Sequence, residues 1–146
     1  MIMKYKLIYL LPLLIAFIAG CSKKPAVINY QLPVPVGNFT GQFTRYHLTV
    51  ATGKIDTLYA NILLNLDASG SFAVTGDTTV HAGSFGKYSL GTNDDLSFTD
   101  KTLPATGTPA KPHLSGNYMY TYNSGILLMQ KDIGDSLSYQ YNFTMN

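Results

Sequence analysis

Leu137-Ser138-Tyr139-Gln140-Tyr141-Asn142-Phe143-Thr144-Met145 is the stretch that decides the fold. Apolar and polar residues alternate over all nine positions, so an extended chain sends Leu137, Tyr139, Tyr141, Phe143 and Met145 to one side and the polar residues to the other. A helix would scatter the same residues around its surface. Immediately upstream, Leu114, Gly116, Tyr118, Tyr120 and Tyr122 share one face of a strand. Asn123-Ser124-Gly125 then turns the chain, Ile126 to Lys131 returns, and Asp132-Ile133-Gly134-Asp135 turns it again.

The same period continues toward the N-terminus. In Thr57 to Asp67, Leu58, Ala60, Ile62, Leu64 and Leu66 fall on one face. The turn Asp67-Ala68-Ser69-Gly70 follows, with Gly70 free to take positive φ, and Phe72 and Val74 begin the return. Leu96 and Phe98 give a short strand after the turn Gly91-Thr92-Asn93-Asp94. Asp100 to Pro112 reads as one long irregular loop, mobile because it lacks aromatic or acidic side chains beyond Asp100. Two places change phase. Phe39 and Phe43 oppose the parity of Tyr46, Leu48 and Val50, which predicts a bulge or bend near Thr44 and Arg45. A second break is expected at Gly83-Ser84-Phe85-Gly86. The total is eight strands joined mainly by hairpins: an all-β, antiparallel, up-and-down meander that removes its edges by closing into a small barrel.

The N-terminus follows different rules. Lys4 and Lys6 precede an apolar run from Leu7 to Ala19, thirteen residues and too short to span a bilayer, where roughly twenty are needed. It reads as a signal peptide over residues 1–20 that is absent from the mature protein. Ile18-Ala19-Gly20-Cys21 closes it and resembles the lipobox of bacterial lipoprotein precursors. That resemblance implies cleavage before Cys21, a diacylglyceryl group on its sulfur and acylation of the new amine. Two or more chains of this kind anchor a protein stably, whereas one does so only marginally. Residues 21–37, with Pro25, Pro33 and Pro35, read as a tether. Its apolar residues Val27, Ile28, Tyr30, Val34 and Val36 leave open that its second half packs on the domain, which spans 38–146.

Composition narrows the function further. The chain carries ten Lys and Arg against eight acidic residues, all Asp. Lys4, Lys6, Lys23 and Lys24 lie in the leader and tether, so the part after Lys24 holds six basic and eight acidic residues, a formal net of minus two. No nucleic-acid partner is expected of such a surface. Cys21 is the only cysteine, which excludes an intrachain disulfide and a thiolate metal site. His47, His81 and His113 come from separate strands without motif spacing, and Asp94-Asp95 reads as a turn pair. No nucleophile elbow or phosphate-binding glycine loop is present, so neither an enzyme, a metal nor a cofactor is expected.

The lipobox, the Pro-containing tether and the first strand Gly37-Asn38-Phe39-Thr40-Gly41 together resemble the lipocalin-like lipoproteins of Gram-negative bacteria, particularly those of Bacteroidota. Phe39 stands where lipocalins place Trp, and the only arginine, Arg45, is in the first strand rather than near the last. The resemblance implies a calycin-type barrel in the cell envelope. Surface-export signals in such lipoproteins resemble acidic residues just after the Cys. Ser22-Lys23-Lys24-Pro25 has none, so an outer-membrane position facing the periplasm is expected. Tyr118, Tyr120, Tyr122, Tyr139, Tyr141 and Phe143 are the candidate pocket for a small apolar ligand. The alternative is a barrel packed solid by these rings that contacts a protein partner through its loops.

Overall fold

The computed structural model describes residues 32–91 and 95–146. The signal peptide, Cys21 and the tether up to residue 31 lie outside the described residues, as do Thr92, Asn93 and Asp94. Eight strands follow in order: β1 (Gly37–Thr49), β2 (Lys54–Leu66), β3 (Ser71–Gly76), β4 (Ser84–Leu90), β5 (Asp95–Asp100), β6 (Gly116–Asn123), β7 (Ile126–Ile133) and β8 (Leu137–Met145). Each pairs antiparallel with the next, and β8 pairs with β1, so the meander closes into a barrel as the alternation predicts. Two tight turns follow directly from residue choice. Ser124 and Gly125 both take positive φ (49° and 80°), the mirror-image turn whose twist matches the flanking strands. At Asp67-Ala68-Ser69-Gly70, the Asp67 carboxylate accepts from the Ser69 amide at 2.6 Å, and the Ser69 side chain together with this amide lowers its pKa.

Strand direction sorts the connections into two ends. One end, here called the floor, gathers the lead Leu32–Val36, the β2–β3 and β6–β7 turns and the C-terminus. The other, the rim, gathers the β1–β2, β3–β4, β5–β6 and β7–β8 connections. Between them the inward positions form one continuous core that includes Phe39, Phe43, Ile62, Leu64, Phe72 and Leu127. Each such side chain contributes about 1.5–3 kcal/mol by leaving water. The wall is thin where it must be: a Cβ on Gly41 would sit 2.0 Å from the Asn142 carbonyl oxygen and 2.7 Å from the Phe143 ring. Only glycine lets β8 and its Phe143 approach β1 this closely.

The expected bulge at Thr44 and Arg45 does not exist. The β1–β2 register runs without a slip from Gly37↔Leu66 to Thr49↔Lys54, and the β1–β8 register from Phe39↔Met145 to His47↔Leu137. The strand keeps its phase, and the apolar residues change sides. The reason is length: β1 and β2 have 13 residues each, whereas β3 covers β2 only from Ile62 to Leu66. The hairpin outgrows the barrel, and Tyr46, Val50, Ile55, Leu58 and Tyr59 are exposed on the projecting part. The second phase break is also not a kink. Residues 77–83 form the β3–β4 loop, and β4 begins at Ser84 with Ser84, Gly86 and Tyr88 buried and Phe85 exposed.

Candidate functional site

Two regions gather chemistry: the aromatic interior and the rim. In the interior, the six candidate pocket residues all face inward, because β6 and β8 keep the parity read from sequence. Tyr118 and Phe143 are 0% exposed, Tyr141 1% and Tyr120 5%, while Tyr122 and Tyr139 are partly buried. Their rings pack on one another and on their neighbours. A chain of contacts runs Phe72–Phe98 (5.1 Å between centroids), Phe98–Tyr118 (5.8 Å), Tyr118–Tyr141 (5.5 Å) and Tyr141–Phe43 (5.0 Å), mostly edge to face. Tyr141 also stacks on Phe143, and Phe39 meets Tyr122 edge-on at 5.9 Å. Such pairs add about 0.5–1.5 kcal/mol each beyond the area they bury.

Burial makes these hydroxyls poor acids. Tyr118 is pushed up to about 12 and Tyr141 well above the usual tyrosine value, in both cases mainly by desolvation. The Tyr118 hydroxyl lies close enough to Tyr141 and the Ser115 backbone to be perturbed by them, yet forms no well-shaped hydrogen bond. Tyr141 has a partner that sequence reasoning missed. His81, from the β3–β4 loop, dips into the rim end and is fully buried, with its ring edge-on to Phe43 at 4.7 Å. Its Nδ1 lies 2.6 Å from the Ala82 carbonyl, which can only accept, so Nδ1 carries the proton. Nε2 therefore accepts from the Tyr141 hydroxyl at 2.9 Å. Desolvation holds His81 down to about 4, with the neighbouring His113 acting in the same direction and Asp100 against it.

His81 and His113 lie in loops, not on strands as the sequence had placed them. Asp100, the last residue of β5, has its side chain fully buried. It accepts from the Thr102 amide at 2.7 Å, the Thr102 hydroxyl at 2.6 Å and His113 Nδ1 at 2.8 Å. These bonds tie down both ends of the long loop, whose Leu114 is 0% exposed and whose Pro112 carbonyl accepts from the Ala82 amide. The irregular loop is thus fastened to the barrel at its ends. The signal was Asp100 itself, the one acid at the start of a segment without others.

Above the interior, register builds a charged row. Arg45 pairs with Tyr139 and Tyr139 with Lys131, so three adjacent strands set these inward side chains side by side. Arg45 Nη2 meets Asp56 at 3.1 Å, while its Nε is buried with no partner. Lys131 donates to the Ser115 carbonyl at 2.8 Å and lies 5.4 Å from the Tyr118 ring centre. Partial burial lowers its pKa. The row borders an open cavity of about 410 Å³ whose other wall is the β5–β6 loop, including Lys111 and His113. A second groove of about 510 Å³ lies on the outer wall of β1, β6, β7 and β8, lined by Gln42, Thr44, Gln130, Gln140 and Asn142 with Met119 and Leu128.

Among the described residues no group of three His, Cys, Asp or Glu side chains could hold a metal ion. No protein family, curated protein or solved structure matches this chain.

Proposed function

We propose that this chain is an envelope lipoprotein, acylated on Cys21 and held at the outer membrane facing the periplasm, whose lipocalin-like barrel is a packed scaffold that contacts a protein partner through its surface and loops. The observation that carries the scaffold reading is the burial of Tyr118, Tyr141 and Phe143 on one another. Rings that fill the space between opposite walls leave their faces to neighbouring rings rather than to a guest. The outer wall supplies contact groups: Met119 is 76% exposed beside the amides of Gln130 and Gln140. The anchor rests on the basic start, the short apolar run and Cys21 at its end.

Native mass spectrometry of the full chain, expressed in a Gram-negative host and extracted in detergent, tests both halves at once. The expected species begins at Cys21, carries a covalent acyl mass that Cys21→Ser abolishes, and holds no stoichiometric neutral apolar molecule. An unacylated wild type overturns the anchor. A stoichiometric apolar guest overturns the packed scaffold and restores the interior pocket.

A further inference from the structure

We propose that the rim cavity between Arg45, Lys111 and Lys131 binds a carboxylate carried on an apolar body. The first observation is the distribution of charge. After the tether the chain has six basic residues and eight acidic ones, yet three of those six basic residues line this one cavity and, among the described residues, no acidic one does. A solvated surface of net negative charge has no reason to concentrate its cations in a concave site. Lys131, whose pKa burial lowers, carries a desolvation cost there that an anion would offset.

The second observation is that, among the described residues, only one of the three cations is held in an ion pair, Arg45 with Asp56. Among the described residues Lys131, half withdrawn from water, forms no ion pair; it donates to a backbone carbonyl and lies by the Tyr118 ring. Lys111 reaches the Thr78 carbonyl. Arg45 engages the exposed Asp56 with one terminal nitrogen and leaves its buried Nε unsatisfied. Asp100 accepts from His113 Nδ1, and His113 itself lines the cavity. Asp56 beside Arg45 and Asp77, whose pKa the Thr79 hydrogen bonds and then Lys111 lower, offset two of the three positive charges; the one that remains suits a monoanion, and guanidinium and ammonium groups are both charge-assisted donors to a carboxylate.

Leu103, Pro109, Pro112 and Ile133 with the Tyr139 ring supply apolar wall, interrupted by Thr108 and Ser115. A volume of about 410 Å³ lies in the range of small-molecule sites. The walls select a carboxylate on an apolar body over a bare, strongly hydrated phosphate. This site lies above the packed core, so it depends neither on an interior pocket nor on the lipid anchor.

The test is a titration of the ¹⁵N-labelled full chain in detergent with benzoate, benzyl alcohol and inorganic phosphate, followed by amide chemical shifts. Benzoate should move resonances around Arg45, His113 and Lys131 and bind about tenfold more tightly than benzyl alcohol, the worth of one charged hydrogen bond. Lys131→Met, which keeps the apolar stem, should weaken benzoate by a similar factor while benzyl alcohol is unaffected. Lys111→Gln, at the outer lip, tests the same point without touching the buried row. Equal binding of benzoate and benzyl alcohol, phosphate binding as tight as benzoate, or benzoate shifts confined to another surface would each overturn the proposal.

Discussion

The two ends of the barrel are closed by opposite chemistries. At the floor, the lead lies across the opening with Pro35 buried and Leu32 packed on the core. Tyrosine hydroxyls fasten it: Tyr88 donates to the Asp67 carbonyl at 3.0 Å and the Pro35 carbonyl at 3.3 Å, and Tyr120 reaches the Pro33 carbonyl at 3.5 Å. At the rim, the closing loops bring His81, His113 and Lys111, and the last inward layer of the wall is Arg45, Tyr139 and Lys131. One strand parity serves both ends. The difference is that the lead at the floor is fastened by hydroxyls that stay neutral at ordinary pH, with Asp67 titrating only in strong acid, whereas the rim is built from a buried histidine and from groups that carry charge. Sensitivity between about pH 4 and 7 therefore belongs to the rim.

Acid should break the comparison most strongly. His81 is held to about 4 when folded, against 6.5 for an ordinary histidine. Between those values the unfolded chain binds a proton that the folded chain refuses. The stability contributed by neutral His81 is thus complete above pH 6.5 and falls as the pH drops toward 4, by roughly 3 kcal/mol. The groups facing the ring are Tyr141, His113 and Asp100. Asp67 and Asp77, whose pKa values are lowered by hydrogen bonds to Ser69 and Thr79, lose their contributions only below the usual carboxylate range. Urea unfolding at pH 7.5, 6 and 4.5 should therefore show a steep decline that His81→Gln flattens. An unchanged slope in that variant would remove the rim's special status.

The floor gives the smaller and complementary effect. Tyr88→Phe removes the hydroxyl proton shared between the Asp67 and Pro35 carbonyls and should cost about 1 kcal/mol. Because burial raises the Tyr88 pKa rather than lowering it, that loss should be the same at pH 4.5 and 7.5. A pH-dependent loss would show that the two ends are coupled through the aromatic core rather than independent.

Much of this was legible in the sequence, and the limits have physical causes. Alternation fixes which side of a strand a residue occupies, so the inward faces of β2, β6 and β8 follow directly from Ile62, Tyr118 and Tyr141 and their neighbours. Alternation does not say how far a strand runs beyond its neighbours. For that reason the apolar residues Tyr46 and Val50, which lie where the β1–β2 hairpin projects past β3, looked like a bulge. The charged row was hidden for another reason. Arg45, Tyr139 and Lys131 are neighbours only through the cross-strand register, and the Arg45–Tyr139 link joins the first strand to the last across the barrel's closure. His81 gave no periodic signal at all, since a loop residue folded into a core has no alternating context. Its partner, the Tyr141 hydroxyl, was visible only as part of an aromatic face.

The central claim is that the tyrosines inside the barrel are packing rather than pocket. Urea unfolding of Tyr118→Ala tests it most directly, because Tyr118 is wholly buried between Phe98 and Tyr141. A ring that fills a packed core should cost about 3–5 kcal/mol when cut back to alanine. A loss below about 1 kcal/mol, as for a ring lining open space, would contradict the account.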